Sequence, residues 1–366
     1  MAGCKRANLT GILSNNPLAK RPISRMLLRI FSNSSRKRLS IIALALVCGI
    51  SVAAKGQTDD VDVVRTDVSV VQLNVGVVDG QGRPITSLSR NDFAVYEDGV
   101  KQSIQSFEPT YAPFSLVLLL DMSGSTLSFR QQLKQAAFRF LDALSPDDRV
   151  AVIQFNAKPK MLFGFSHEHQ RAAYAIEIAQ GAGETYFYDA LRFALAELNH
   201  ERNRRKAIVV LTDGLDTELR KFDRERAAKA QTDAEAIASI KPENSSLNTV
   251  LGTADRQGVT IYPLALPSGD PKRLPLLDPV ITAIYDAARQ RLQALADRTG
   301  GRLNEIQRLD QMARLFPEVA ANLRTLYTVS YQAPGNRVRD GTWHEIRVEV
   351  KYPELVARTK PGYYAR

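Results

Sequence analysis

The stretch that decides the fold is Ser115-Leu116-Val117-Leu118-Leu119-Leu120-Asp121-Met122-Ser123-Gly124-Ser125, where an apolar run ends abruptly on an aspartate. An apolar run of this length, bounded by turn residues, predicts a strand that is buried on both faces of a sheet. The turn after it places one carboxylate and two hydroxyls at the carboxyl edge of that sheet, where open α/β sheets bind ligands. Three oxygen-bearing side chains within five residues favour a site for a hard cation. The alternative is an Asp and Ser turn that caps a helix.

Two further segments support the cation site. A second buried strand, Ala207–Leu211, leads directly into Thr212-Asp213-Gly214. Between the two strands lies Gly181-Ala182-Gly183-Glu184-Thr185, followed by a helical pattern from about Phe187 to Asn199. With these segments the chain resembles the von Willebrand factor type A (VWA) domain, whose metal-ion-dependent adhesion site is Asp-x-Ser-x-Ser with a distant Thr and a distant Asp. The positions that match this pattern in order are Asp121, Ser123, Ser125, Thr185 and Asp213.

The matched residues comprise two carboxylates, those of Asp121 and Asp213, and three neutral hydroxyls. Such a ligand set suits Mg²⁺, or Mn²⁺ or Ca²⁺, and excludes a soft zinc or copper site. The resemblance implies that some ligands act through water and that one coordination position is open, so that an acidic group of a partner protein completes the shell. For Thr185 the alternative role is a helix N-cap, and Asp189 is predicted to be a first-turn acid that favours the helix dipole. One departure is Glu184, which stands where relatives commonly have Gly and which could compete with the incoming ligand or join the shell.

The basic character of the chain is confined to its first 54 residues. The formal net charge is +10, and residues 1–54 contribute +9 of it, because they contain nine Lys or Arg and no Asp or Glu. They also hold both cysteines, Cys4 and Cys48. The rest of the chain is therefore nearly neutral, which argues against a nucleic-acid partner. Without residues 1–54 the chain has no cysteine, so its stability must come from its core.

Residues 1–54 have the pattern of a secretory leader. Arg36-Lys37-Arg38 precede the apolar run Leu39–Ile50 and the small residues Ser51–Ala54. This order is typical of a cleaved signal peptide, and the apolar run is short for a membrane span. We therefore expect export to the periplasm, the cell surface or the medium, with a mature chain that begins near Ala54 or Lys55. A retained membrane anchor is the alternative, and Met26 would be a better-proportioned start for this leader.

The remaining sequence predicts a domain inserted between two β segments. Residues 55–65 form a polar linker, and residues 66–112 and 324–366 contain alternating apolar and polar residues typical of strands. Each β segment is too small to stand alone, so we predict that the two pair into one β-sandwich. Between them, residues 113–323 form the VWA domain. The two ends also resemble those of VWA-related proteins found in many bacterial genomes.

The central domain alternates strands with helices, which predicts a Rossmann-like α/β fold with a mostly parallel sheet and helices on both faces. The predicted helices are Phe129–Leu144, Glu168–Ile178, Phe187–Asn199, Tyr285–Thr299 and Asp310–Leu323, and the strands besides the two above are Val150–Phe155, Val259–Ala265 and a short edge strand at Lys160–Phe163. Residues 216–248 and 267–279 look like insertions at the carboxyl edge of the sheet. We expect solvated loops or surface helices there, and the alternative is a rim around the ligand.

The sequence offers little that favours an enzyme. The only close pair of histidines, His167 and His169, opens a predicted helix and lacks the longer spacing of a zinc-protease motif. Ser123 does not lie in a Gly-x-Ser-x-Gly elbow, and no glycine-rich phosphate loop is present. We therefore predict an exported, metal-dependent adhesion module that binds a protein carboxylate. The alternatives are a metal-independent structural subunit of an envelope assembly and, less favoured, a hydrolase.

Overall fold

The elements of the structure, a computed structural model, follow the predicted order along the chain. The amino-terminal segment forms strands β1 (Val70–Val78), β2 (Phe93–Glu97), β3 (Val100–Gln102) and β4 (Ile104–Glu108). The central segment forms β5 (Phe114–Asp121), α1 (Arg130–Asp142), β6 (Arg149–Phe155), β7 (Pro159–Ser166), α2 (His169–Ile178), α3 (Phe187–Leu198), β8 (Arg205–Thr212), α4 (Thr217–Ala227), α5 (Asp233–Ser239), α6 (Ser245–Gln257), β9 (Val259–Ala265), α7 (Pro279–Thr299), β10 (Asn304–Glu305) and α8 (Met312–Leu323). The carboxyl-terminal segment forms β11 (Leu326–Gln332), β12 (Trp343–Val350), β13 (Val356–Arg358) and β14 (Gly362–Tyr364).

The structure describes residues 70–202, 204–267, 278–306, 312–333 and 341–365. The predicted leader at 1–54, the linker at 55–65 and most of the predicted insertion at 267–279 lie outside these residues. Within the described part of the chain, every helix is too short or too polar to cross a lipid bilayer.

The central sheet has the strand order β10-β9-β8-β5-β6-β7 and is parallel except for the edge hairpin between β6 and β7. Every residue of β5 is buried, because its side chains alternate between two cores. Leu116, Leu118 and Leu120 pack in the core that also holds α1, α2 and α8. Val117 and Leu119 pack in the core that holds α3, α6 and α7. The predicted α/β class, with helices on both faces of a mostly parallel sheet, is confirmed.

The two end segments form the predicted sandwich together. One sheet has the order β13-β1-β11-β4 and the other has the order β14-β12-β2-β3, so each sheet contains strands from both segments. The longest pairing joins β1 to β11, from Val70 opposite Gln332 to Gly76 opposite Leu326. Leu73, Val95 and Tyr331, from three of these strands, share one fully buried core. The central domain is thus inserted between two segments that complete each other, as the sequence predicted.

Three details differ from the predicted elements. In the predicted β segment at 66–112, the stretch Val100–Phe107, which we expect to form one strand, is broken into β3 and β4. These two strands pair in different sheets, so the chain changes sheet at this point. The helix predicted at Tyr285–Thr299 begins earlier, because Asp278 caps its first turn and Pro279 occupies its first position. Helix α6 was not predicted. Its cap residue, Asn244, lies in the segment 216–248, where we expect solvated loops or surface helices.

The insertion at 216–248 is helical, which is one of the two forms that we expect there, and its helices are partly buried. It forms α4, α5 and the start of α6, and its helices share a small apolar core with α7 that includes Ala227, Ala236 and Ile284. A buried ion pair between Asp223 and Arg291, 2.9 Å apart, fixes α4 to α7. The charged composition of this segment therefore includes charges that are paired inside the protein as well as a solvated surface.

Arg205 closes the seam where the chain enters and leaves the central domain. It is the first residue of β8 and is only 1 % exposed. Its guanidinium donates hydrogen bonds to the carbonyl of Leu323, at 2.6 Å, and to the carbonyl of Leu326. It also lies 3.9 Å from the centre of the Phe114 ring. Burial lowers the pKa of Arg205 to about 10, so the side chain is still charged at neutral pH.

We expect Arg205→Met to lower the free energy of unfolding by about 3 kcal/mol, because two buried carbonyls lose a donor at about 1–3 kcal/mol each. The measurement is urea denaturation at neutral pH. Arg202→Met, at an exposed position three residues before Arg205, is the matched control and should shift the midpoint little. Equal midpoints for the two variants would show that the seam does not depend on Arg205.

Candidate metal centre

The parallel pairing of β5 with β8 brings the first predicted site residues together. Leu120 lies opposite Leu211, so Asp121 and Thr212 come next to each other at the carboxyl edge. The hydroxyl of Thr212 donates a hydrogen bond to Asp121 Oδ2 at 2.8 Å. Asp213 follows directly, is fully buried, and accepts the Leu215 N–H on Oδ1 at 3.0 Å. Two carboxylates from neighbouring strands therefore lie at one buried point of the sheet edge.

The loop after β5 supplies the two serines. Asp121 Oδ1 accepts the Ser123 N–H at 3.0 Å, and the hydroxyl oxygens of Ser123 and Ser125 are 3.1 Å apart. Thr126 donates to the carbonyls of Asp121 and Ser123, at 2.9 and 3.0 Å, as the chain turns into the 3₁₀ helix Gly124–Phe129. Ser123 is buried, whereas Ser125 is exposed. The loop therefore places one hydroxyl, that of Ser123, inside the protein and the other, that of Ser125, at its surface.

The third loop, before α3, carries Thr185. The Gly124 N–H donates to the Gly183 carbonyl at 3.0 Å, which joins this loop to the serine loop. On its other side Thr185 exchanges two hydrogen bonds with Thr217: its N–H donates to the Thr217 hydroxyl at 2.9 Å, and its carbonyl accepts the Thr217 N–H at 2.8 Å. Thr185 is 6 % exposed. All five predicted site residues therefore lie at the same edge of the sheet, Asp121 at the end of β5 and the others on segments that are hydrogen-bonded to one another.

Arg130, at the start of α1, joins the serine loop to the loop that carries Thr185. Its guanidinium donates to the carbonyls of Met122 at 3.2 Å and Gly181 at 2.7 Å. The approach of the loops is close, since a Cβ at position 181 would lie 2.7 Å from the Met122 carbonyl oxygen. Only glycine fits there, which gives Gly181 a structural role in bringing the Thr185 loop to the serine loop.

The electrostatics of the site favour a cation. Complete burial, together with repulsion from the neighbouring Asp213 carboxylate, raises the pKa of Asp121 from its ordinary value of 3.8 to about 7. Hydrogen bonds from Ser123 and Thr212 oppose this shift but do not cancel it. Two buried carboxylates that repel each other, with hydroxyl oxygens beside them, form a donor set that fits a hard divalent ion. The residues present therefore fit the metal that the resemblance implies.

Two acids near the site have other contacts. Glu184 is exposed, and its carboxylate accepts a hydrogen bond from the Tyr186 hydroxyl at 3.1 Å. Asp189 is exposed on the first turn of α3 and forms an ion pair with Arg192. This placement agrees with the predicted role of Asp189 as a first-turn acid.

Three residues that shape the site were not singled out in the sequence. They are Thr212, Arg130 and Asp216. Asp216 is buried and caps two helices at once, since its carboxylate accepts the Phe187 N–H at 2.9 Å and the Leu219 N–H at 3.1 Å. Burial raises the pKa of this carboxyl. Of the three, only Thr212 has a signal in the sequence: it ends an apolar strand and stands next to the predicted ligand Asp213, which is consistent with a role in supporting the site.

Comparison with known proteins agrees with this geometry. The family model described as von Willebrand factor type A domain matches residues 116–215, which include all five site residues. In sequence, no curated protein matches the chain. The chain therefore carries a VWA domain, a type of domain that typically serves as a protein-interaction or adhesion module.

Solved structures with a similar fold include three proteins of low sequence identity. BatB from Bacteroides thetaiotaomicron, a conserved hypothetical protein, is 13 % identical, with a TM-score of 0.40 over 57 % of this chain and 98 % of that one. The vWF domain of the type V pili tip protein Mfa5 from Porphyromonas gingivalis is 13 % identical, with a TM-score of 0.44 over 58 % of this chain and 95 % of that one. Proximal thread matrix protein 1 from the mussel byssus, in a structure with zinc at its metal-ion-dependent adhesion site (MIDAS), is 16 % identical. Its TM-score is 0.43 over 62 % of this chain and 49 % of that one.

The raised pKa of Asp121 predicts how stability depends on pH when divalent ions are removed by a chelator. The folded chain holds a proton on Asp121 up to about pH 7, whereas the unfolded chain loses it near pH 3.8. The contribution of this group to stability is therefore fully present below about pH 4 and is lost as the pH rises through about 7. Asp121→Asn removes this titration. Urea denaturation with chelator should show wild-type stability falling, relative to the variant, between about pH 4 and pH 7. Parallel profiles for the two proteins would contradict this assignment.

The Thr212 hydroxyl is expected to stabilise the site through two bonds. It donates to Asp121 and accepts the Gly214 N–H at 3.0 Å, so Thr212→Val leaves a buried donor and a buried acceptor without partners. We expect a loss of about 1–3 kcal/mol in the free energy of unfolding, measured by urea denaturation. Thr212→Ser keeps the hydroxyl and is the matched control. A Val variant as stable as the Ser variant would mean that neither bond contributes.

Proposed function

We propose that this protein is an exported, non-enzymatic module that binds a divalent cation at Asp121, Ser123, Ser125, Thr185 and Asp213, and through that cation a carboxylate of a partner protein. Mg²⁺ is the preferred ion, with Mn²⁺ or Ca²⁺ as substitutes. The observation that carries the proposal is the buried pair of carboxylates on neighbouring strands, surrounded by hydroxyls on bonded loops. The bound ion would supply a positive charge with one coordination position open to a ligand.

The residues of the chain have separate roles in this proposal. Asp121 and Asp213 provide the negative charge, and their burial keeps water away from it. Ser123, Ser125 and Thr185 add neutral oxygens, so the ion keeps enough charge to attract a further carboxylate. Ser125 is the exposed member of the set, so a partner's carboxylate would approach from its side. The exposed carboxylate of Glu184 lies on the neighbouring loop, where it would repel a second acidic group of the partner.

The insertion supplies a further surface next to the site. Helices α3 and α4 and the start of α6 border a groove of about 420 Å³, which is lined by Tyr186, Arg192, Phe222 and Arg226 among others. Phe222 is about half exposed, and the Arg226 guanidinium lies 5.5 Å from the centre of its ring. The groove begins one residue from Thr185, which supports the proposal that the insertion forms part of a rim around the partner.

Two observations support a binding role over hydrolysis. His169 contacts the Asp148 carbonyl at 3.1 Å, and His167 contacts the Pro146 carbonyl at 3.2 Å. Asp148 and Pro146 precede β6, so both histidines lie toward the amino edge of the sheet, away from Ser123. The hydroxyl of Ser123 is paired with Ser125, a partner that does not act as a base. The proposal of export depends on the basic and then apolar pattern of residues 1–54.

We expect Mg²⁺ to bind one site per chain and to raise thermal stability, because the ion binds only the folded state. At a concentration of about 100 Kd, the gain in the free energy of unfolding is about 2.7 kcal/mol. Asp121→Ala and Asp213→Ala should each abolish the heat of Mg²⁺ binding in isothermal titration calorimetry. Asp189→Ala removes a nearby exposed carboxylate that is not a proposed ligand, and it should bind Mg²⁺ like the wild type. If the wild type binds no divalent ion at millimolar concentration, the metal site is wrong.

The same variants test partner binding. Immobilised wild-type protein should retain a partner from envelope extract in Mg²⁺, release it on addition of chelator, and fail to retain it as Asp121→Ala. Retention that is equal in Asp121→Ala and unaffected by chelator would replace this proposal with the metal-independent structural subunit.

A further inference from the structure

A second cluster of metal-ligating side chains lies in the β-sandwich, on the hairpin between β2 and β3 and on β12. It comprises Glu97, Asp98 and His344, each of which places one ligand atom within 4.8 Å of the others. His344 Nδ1 is 2.8 Å from Asp98 Oδ2 and 3.9 Å from Glu97 Oε1. Glu97 and His344 are buried, whereas the Asp98 side chain is 33 % exposed. The cluster therefore has two ligands inside the protein and one at its surface.

The other polar atoms of these three side chains are held by groups outside the cluster. Glu97 Oε2 accepts hydrogen bonds from the hydroxyls of Tyr331 and Tyr363. Asp98 Oδ1 accepts the Glu345 N–H at 3.0 Å. His344 Nε2 lies 3.3 Å from the Thr342 hydroxyl oxygen. Outer contacts of this kind orient the ligands of metal sites, and a histidine ligand commonly uses its second nitrogen in this way.

One buried atom of the cluster lacks a partner. Among the described residues, Glu97 Oε1 makes no hydrogen bond, although the Glu97 side chain is fully buried. A buried carboxylate oxygen without a donor is costly, so such atoms are rare in folded proteins. This oxygen faces His344 Nδ1 at 3.9 Å, a distance too long for a hydrogen bond. A group that bridges these atoms would satisfy the carboxylate.

We propose that Glu97 Oε1, Asp98 Oδ2 and His344 Nδ1 bind a divalent transition-metal ion, for which Zn²⁺ is the preferred occupant. Two carboxylates and one imidazole form a ligand set that suits Zn²⁺. Ligands at about 2.0–2.2 Å from a tetrahedral Zn²⁺ lie about 3.3–3.6 Å apart. The two separations given above, 2.8 and 3.9 Å, lie on either side of that range, so small shifts of the side chains suffice. Water would take the fourth position.

The proposed ion would tie the first segment of the sandwich to the last. Glu97 ends β2 and Asp98 begins the turn to β3, whereas His344 lies on β12, which pairs with β2 from Ile346 opposite Glu97 onward. Asp98 adopts a positive φ of 48°, and the next residue, Gly99, has φ 79°. These angles turn the Asp98 carboxylate back toward β12, where its backbone N–H also donates to the Glu345 carbonyl at 3.0 Å. The proposed site therefore has a structural role, since it links the two end segments, and it is separate from the all-oxygen site on the central domain.

The test uses the full chain with Asp121→Asn, which silences the first site, and with Cys4→Ser and Cys48→Ser, so that thiols do not compete for zinc. Zn²⁺ is titrated into chelator-treated protein by calorimetry, and Co²⁺ is added to a second sample to record its visible absorption. We expect one Zn²⁺ per chain, a raised melting temperature, and a Co²⁺ spectrum of low coordination number.

Three substitutions in that background locate the ion. Asp98→Asn keeps the Oδ1 acceptor, and asparagine tolerates the positive φ, so this variant should fold. Asp98→Asn, Glu97→Gln and His344→Gln should each weaken Zn²⁺ binding more than tenfold and abolish the rise in melting temperature. Glu345→Gln, on the exposed face of β12, is the control and should bind Zn²⁺ unchanged. If the background protein takes up no Zn²⁺, or if folded Asp98→Asn and His344→Gln bind it as tightly as the background protein, the cluster is a histidine–carboxylate ion pair only.

Discussion

The burial of the Asp121 carboxylate is the constraint around which the central domain is built. The side chain lies at the end of a strand whose every residue is buried, so water cannot solvate its charge. The protein groups that reach it include the N–H of Ser123, two residues along the chain, and the hydroxyl of Thr212, on the neighbouring strand. The second contact requires β8 to run parallel to β5 and in register with it. A crossover connection with helices on the faces of the sheet follows from that requirement.

The two edges of the central sheet have different roles. At the amino edge, Arg205 binds the carbonyls of Leu323 and Leu326, and Asp148 accepts the Phe114 N–H at 3.0 Å and pairs with Arg324 at 2.6 Å. These contacts fix the points where the chain crosses between the sandwich and the inserted domain. Because the sandwich is attached at that edge, the carboxyl edge and its loops are left for binding. Insertion between two β segments therefore positions the candidate site without contributing a residue to it.

Much of this arrangement could be predicted from short stretches of sequence. The apolar run of β5 ends on Asp121, and each predicted ligand follows a strand or precedes a helix, so local patterns were enough to locate the loops and the fold class. Local patterns could not show the break between β3 and β4. The alternation of apolar and polar residues is the same whether the stretch forms one strand or two strands in different sheets. Helix α6 was missed because its cap lies in a charged segment, and that charge is partly neutralised by the buried pair of Asp223 with Arg291. The cluster of Glu97, Asp98 and His344 joins residues almost 250 positions apart, so no spacing in the sequence reveals it.

The two candidate cation centres differ in where their rigidity comes from. The site at the sheet edge depends on loops, and these loops are joined by bonds from Gly124 to Gly183 and from Thr185 to Thr217 before any ligand arrives. Such prior ordering means that little conformational entropy is lost on binding, which strengthens the binding of a ligand. The cluster in the sandwich depends on a tight hairpin and a strand, and its outer contacts come from tyrosine hydroxyls inside a closed core. An ion held there would not meet a macromolecular partner, and its binding energy would instead contribute to folding. The two proposals thus assign an exchangeable cation to the carboxyl edge of the central sheet and a structural cation to the junction of the two end segments.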